Sequence, residues 1–70
     1  MKLEEGKVYE CKNGNKVKVK RSNLPYYKFT VKENLPSEEG FIDTNTSEVW
    51  NENGIAYHDD CGYNFIREVS

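Results

Sequence analysis

Asn13-Gly14-Asn15-Lys16-Val17-Lys18-Val19-Lys20-Arg21 is the stretch that decides the fold class. Asn-Gly is a strong two-residue hairpin signal, because both central positions of such a turn take positive φ. Lysine and valine then alternate without a break. Val17 and Val19 fall on one face and Lys16, Lys18 and Lys20 on the other, the period of a half-buried β-strand.

Working outward, Lys7 to Lys12 reads as the partner strand, with Val8, Tyr9 and Cys11 as its packing residues. Ser22 to Pro25 breaks the pattern. Tyr26 to Lys32 alternates again, with Tyr27, Phe29 and Val31 expected inside and Tyr26, Lys28 and Thr30 outside. Glu33 to Gly40 reads as a loop, and Phe41-Ile42 as a short strand. Glu48 to Glu52 and Ile55 to His58 flank a second Asn-Gly turn at Asn53-Gly54. Asp59 to Gly62 is a tight polar turn, and Tyr63 to Val69 a last strand. The first few residues are the only ones suited to a helical turn.

Composition agrees. The chain has 70 residues, 36% of them hydrophobic and 13% aromatic. A chain of this size buries only about 60% of the surface its unfolded form exposes, so a few large rings must fill a small core. β-Branched residues outnumber Leu and Ala, which favours strands. The fold expected is one all-β domain spanning 1–70, a small antiparallel SH3-like or partly open barrel of five or six short strands.

Charge is split along the chain. Lys7 to Lys32 holds eight Lys or Arg and one acid, Glu10, whereas Glu33 to Ser70 holds nine acids and one base, Arg67. The net charge of −2 conceals this dipolar pattern. No stretch approaches the ~20 apolar residues of a membrane span. Met1 to Gly6 has no apolar signal-peptide core, which predicts a cytoplasmic protein with Cys11 and Cys61 as reduced thiols; in a secreted chain one disulfide between them would close most of the domain, and the sequence alone does not decide the pairing.

Gly6-Lys7-Val8-Tyr9, followed by Gly14 and Val17, resembles the opening of a group of very short phage and prophage proteins. Val49-Trp50-Asn51-Glu52-Asn53-Gly54 is similar to their Trp-Thr-Glu-Asp-Gly segment. Tyr63 to Val69 looks like their closing strand. Residues 21–46 carry no such likeness. The resemblance implies a phage-encoded accessory protein, acting in the host cytoplasm, and implies no catalytic residues.

Lys16, Lys18 and Lys20 project about 7 Å apart along one strand face. Arg21, Lys28, Lys12 and Lys32 widen the patch, and Tyr26 is placed to stack a base. A phosphate-bearing ligand, either a nucleotide signal or single-stranded nucleic acid, suits such a surface. So does the plainer alternative, a solvated face whose lysines protect an edge or pair with Glu10, Glu48 or Glu52 across the sheet. With only two Arg, sequence-specific reading of duplex DNA is disfavoured. Glu38, Glu39, Asp43, Glu48, Glu52, Asp59 and Asp60 form the opposing acidic set. They serve solubility, mimicry of nucleic-acid charge, or pairing with the basic face of a second copy.

Trp50 and Tyr57 flank the second hairpin, either as a cap on the core or as an exposed aromatic shelf for a partner. His58-Asp59-Asp60-Cys61 contains metal-ligand types, but a structural zinc site needs four ligands, and no Cys-x-x-Cys pair exists. There is no Gly-rich phosphate loop, nucleophile elbow or triad set. The sequence therefore points to a non-enzymatic binding protein without cofactor. Its binding residues are Lys16, Lys18, Lys20, Arg21, Tyr26, Lys28, Trp50 and Tyr57. The expected role is counter-defence, by sequestering a nucleotide signal or covering a host protein surface. The alternatives are a self-associating phage assembly protein and a non-specific nucleic-acid-binding module.

Overall fold

A computed structural model describes residues 1–35 and 47–69. It is all-β. The strands are β1 (Val8–Cys11), β2 (Lys16–Arg21), β3 (Phe29–Leu35), β4 (Val49–Trp50) and β5 (Phe65–Glu68), with one 3₁₀ turn at Asp59–Cys61. All pairings are antiparallel, in the order β4-β3-β2-β1-β5. Strands β1 to β4 form a meander, and β5 returns to lie beside β1. The sheet curls into a half-barrel around Leu3, Tyr9, Cys11, Val17, Val19, Phe29, Trp50, Ala56 and Phe65.

β2 follows the alternation throughout. Val17 and Val19 are fully buried, while Lys16 and Lys18 are half-buried and Lys20 is exposed on the other face. β1 contributes Tyr9 and Cys11 to the core and turns Val8 and Glu10 outward. Burial raises the Tyr9 phenol above its ordinary pKa. Its oxygen accepts the Glu4 N–H at 2.8 Å, which ties down the N-terminal segment.

Both Asn-Gly hairpins depart from the two-residue turn expected. Among the described residues only glycines have positive φ, Gly14 at 95° and Gly54 at 86° in these two turns. Gly14 N–H donates to the Cys11 carbonyl and Cys11 N–H to the Asn15 carbonyl; Gly54 N–H donates to Asn51 and Asn51 N–H to Ile55. Each loop thus has three residues, a tight turn followed by a left-handed glycine. Asn13 and Asn53 need no positive φ because the glycine alone supplies it.

The third strand also shifts. It begins at Phe29, not Tyr26, because the Ser22–Lys28 connection closes on itself: Ser22 N–H donates to the Lys28 carbonyl and Ser22 Oγ accepts Leu24 N–H. β3 then runs on to Leu35, through residues expected to be loop. A bulge lies between the Lys18↔Glu33 and Val19↔Val31 pairs, leaving Lys32 as the extra residue. That insertion flips the alternation, so Glu33 lies on the lysine side opposite Lys18.

The strand expected at Ile55–His58 is reduced to a single bridge between Trp50 and Ala56. The first few residues make no helical turn. The expected strand at Phe41-Ile42 lies outside the described residues.

The two sheet edges are joined across the opening of the barrel. Trp50 on β4 stacks on Phe65 on β5, with centroids 4.4 Å apart and planes 16° apart. Trp50 Nε1–H donates to the Tyr63 carbonyl at 2.7 Å. Phe65 N–H donates to the Gly54 carbonyl at 3.0 Å, and Ala56 N–H to Asn64 Oδ1 at 2.7 Å. A Cβ on Gly54 would stand 3.3 Å from Phe65 Cβ, so glycine serves both the turn and this close approach.

Phe65→Ala removes one ring of the stack and leaves a cavity under Trp50. It costs about 3–5 kcal/mol, most of the stability of a domain this small. Urea unfolding followed by Trp50 fluorescence should show the midpoint collapsing towards zero denaturant.

Candidate functional site

Register defines the outer surface, because residues directly opposite across a sheet share a face. Lys20 pairs with Thr30, Thr30 with Val49, and Tyr57 N–H donates to the Val49 carbonyl. A row therefore runs Lys20–Thr30–Val49–Tyr57 across one face. Lys18 stands in the next row beside Val8 and Glu33, and Lys16 beyond it beside Glu10 and Leu35.

Acids thus interleave with Lys16 and Lys18 on this face. Glu10 is further engaged by Arg67, whose Nε donates to it at 2.7 Å. At the other end of β2 the exposed cations are Lys20 and Arg21, with Lys28 beyond them, while Lys12 and Lys32 are exposed elsewhere. Arg21 lies 5.7 Å over the Phe29 ring, while its backbone N–H donates to Glu5 Oε2.

Aromatic rings meet the cations there. Pro25 and the closed Ser22–Lys28 connection lift Tyr26 clear of the sheet, leaving it 63% exposed. Its ring meets Tyr27 edge-on at 4.8 Å, Tyr27 packs on Tyr57 at 5.4 Å, and Tyr57 on His58 at 4.9 Å. Tyr27, expected in the core with Phe29, is half-buried outside it in this series of rings. Tyr57 is 57% exposed.

Two shallow cavities flank the rings. One, of about 190 Å³, is lined by Pro25, Tyr26, Lys28, Asn51, Glu52 and Asn53. The other, of about 150 Å³, is lined by Thr30, Ser47, Glu48, Val49, Tyr57 and His58.

Two residues hold this surface in place that were not singled out as site residues. Asn51 is buried at the base of the second hairpin. Its Oδ1 accepts Asn53 N–H and Ile55 N–H, and its Nδ2 donates to the Tyr26 hydroxyl at 3.1 Å. The sequence signal was available: Asn is favoured at the first position of such a turn.

Glu48 is only 3% exposed. Its carboxylate accepts Val49 N–H at 2.8 Å and His58 N–H at 3.0 Å, and pairs with His58 Nδ1 at 2.9 Å. Glu48 therefore leaves the acidic surface set and becomes a clamp beneath Tyr57. Glu52, Asp59 and Asp60 are exposed as expected. Glu38, Glu39 and Asp43 lie outside the described residues.

Trp50 is fully buried. Its ring is consumed by the Phe65 stack and its N–H by Tyr63, so it serves the core and cannot act as a surface shelf. Of the eight expected binding residues, Lys20, Arg21, Tyr26, Lys28 and Tyr57 gather at one end of the sheet. Lys16 and Lys18 lie further along the Lys20 face, whereas Arg21, opposite Phe29, is on the other.

Cys11 is buried and Cys61 exposed. No group of three or more His, Cys, Asp or Glu converges among the described residues. No helix among them is long and apolar enough to cross a membrane. No protein-family model, curated protein or solved structure matches the chain, so its function is argued from its own residues.

Glu48→Ala strands two backbone donors and should cost about 1–3 kcal/mol. His58→Ala, which removes only an exposed ring from the same pair, should cost less than about 1 kcal/mol. Chemical denaturation of the two variants checks the ordering. The charge of Asp60 raises the Cys61 thiol above its ordinary pKa, which lowers the reactive thiolate fraction near neutral pH. A disulfide reagent should therefore label Cys61 more slowly than free cysteine. The rate should climb with pH and rise in Asp60→Asn.

Proposed function

We propose that the chain is a phage-encoded, non-enzymatic binding protein that recognises a phosphate-bearing ligand and acts stoichiometrically in counter-defence against the host. One observation carries this reading: Tyr26 and Tyr57, both exposed and linked through Tyr27, stand at the end of the sheet that also carries the exposed Lys20 and Lys28. Aromatic surfaces interleaved with cations bind bases through their faces and phosphates through charge.

The supporting rings are well anchored. Asn51 fixes the Tyr26 hydroxyl and Glu48 fixes the backbone of His58, next to Tyr57. A ligand meeting preorganised rings loses less affinity to side-chain ordering. The phage assignment is supported by the likeness of Gly6 to Tyr9 and Val49 to Gly54 to short phage proteins. A stoichiometric role suits a surface whose exposed groups are aromatic rings and cations, which bind a ligand without changing it.

Titration calorimetry against mononucleotides, cyclic dinucleotides and short oligonucleotides tests the proposal. Binding heat should appear with at least one of them and weaken by tenfold or more in a Lys20→Glu/Lys28→Glu variant that retains its circular dichroism. Absence of heat with every phosphate ligand removes the reading, and so does unchanged affinity in that variant.

A further inference from the structure

Resting on that phosphate-ligand reading, we infer that the ligand is single-stranded nucleic acid, held by two base-stacking positions at Tyr26 and Tyr57, and not a free nucleotide.

The cavities set the scale. At about 190 and 150 Å³, both fall below the ~300 Å³ at which enclosed small-molecule sites begin. Neither encloses a nucleotide with its base, sugar and phosphate. Each offers one exposed tyrosine as a platform beside a shallow hollow. What fits two such half-sites is a flexible polymer carrying a planar group on each repeat.

Spacing agrees. Tyr27 lies between the platforms, 4.8 Å from Tyr26 and 5.4 Å from Tyr57. The two exposed rings are therefore no further apart than those two distances laid end to end. That is within reach of neighbouring or next-neighbouring bases on one strand. Tyr27 fills the gap with its own ring and keeps the platforms from collapsing together.

Charge for the backbone is placed beside Tyr26 and at the far end of the row from Tyr57. Lys28 lines the hollow beside Tyr26. Lys20 starts the row that ends at Tyr57; the second hollow itself is lined by Thr30, Tyr57, His58 and the Glu48 carboxylate, which is already engaged by His58. Glu52 lines the Tyr26 hollow too and opposes a phosphate there. It reduces affinity without removing the site, since Lys28 shares the same wall. Double-stranded nucleic acid fits poorly, because its base faces are already stacked and unavailable to the tyrosines.

Fluorescence anisotropy with labelled oligothymidylate and oligouridylate decides the matter, using the intact chain and unlabelled mononucleotides as competitors. Affinity should fall steeply as salt rises. Tyr26→Ala and Tyr57→Ala should each weaken binding about 5- to 150-fold, the equivalent of 1–3 kcal/mol per stacked base. Tyr26→Phe should retain most of the affinity, and Glu52→Gln should tighten it. Both tyrosines are exposed, and unchanged Trp50 fluorescence verifies that the variants are folded.

Oligonucleotide binding that ignores both tyrosine-to-alanine changes overturns the inference, as does an oligonucleotide affinity no greater than that of a mononucleotide. In the latter case the phosphate-ligand reading survives. Failure of every nucleotide and oligonucleotide to bind overturns both. Capture of an acidic host protein in place of any oligonucleotide also overturns both, and assigns the surface to a protein partner.

Discussion

The stack of Trp50 on Phe65 is the contact on which the rest of the fold depends. The sheet has five described strands, and β4 and β5 lie at its opposite edges. Without a link between them it would be an open, twisted ribbon exposing Tyr9, Val17 and Val19 to water. The two rings meet face to face at 4.4 Å, and Tyr9 packs against Phe65 at 5.2 Å. Backbone hydrogen bonds then cross at the same place, from Phe65 to Gly54 and from Leu3 to Glu52. Burial of large rings is well suited to a core this small. Each removes more apolar surface from water than an aliphatic side chain, with few rotatable bonds to freeze.

This closure also shapes the outer surface. β4 is only two residues long, too short to fix the following hairpin by ladder hydrogen bonds alone. Asn51, Glu48 and Asn64 supply what the ladder lacks, each accepting backbone N–H groups from the returning segment. Asn51 and Glu48 each also touch a ring-bearing residue, Asn51 through the Tyr26 hydroxyl and Glu48 through His58. Two of the side chains that hold the second hairpin thus also reach the ring surface, Asn51 at Tyr26 and Glu48 at His58, next to Tyr57. Core closure and the exposed tyrosine surface are coupled through the residues between Glu48 and His58.

How far the sequence was legible depends on how local each determinant is. β2 was read correctly to the residue, because six residues of strict alternation admit one period. Both hairpins were placed correctly for the same reason, although their loop type was not. It depends on whether asparagine or glycine alone takes the unusual φ, and the dipeptide does not decide that. β3 was misjudged at both ends. Its start is set by a closed connection from Ser22 to Lys28, and its end by a bulge at Lys32 that restores pairing after one residue is skipped. Neither leaves a periodic trace. The surface was legible in part. Tyr26 and Lys28 were expected on the outside and are exposed; of the two places weighed for Trp50 and Tyr57, Trp50 takes the core and Tyr57 the surface; Glu48 resembled any surface acid until the fold brought His58 to it.

The split in charge takes on a different meaning in three dimensions. Along the chain it is a basic first half and an acidic second half. On the sheet, antiparallel pairing folds one onto the other. Glu33 comes to lie opposite Lys18, Lys7 reaches Glu68 at 3.8 Å, and Glu48 turns inward. Part of the apparent dipole is thereby offset within the sheet. At the end where β2 and β3 meet the tyrosines, the cross-strand partner of Lys20 is Thr30, which carries no charge. A charged surface earns a functional reading where pairing fails to neutralise it and aromatic rings stand beside it. On this molecule those two conditions coincide at the Lys20 end of the sheet.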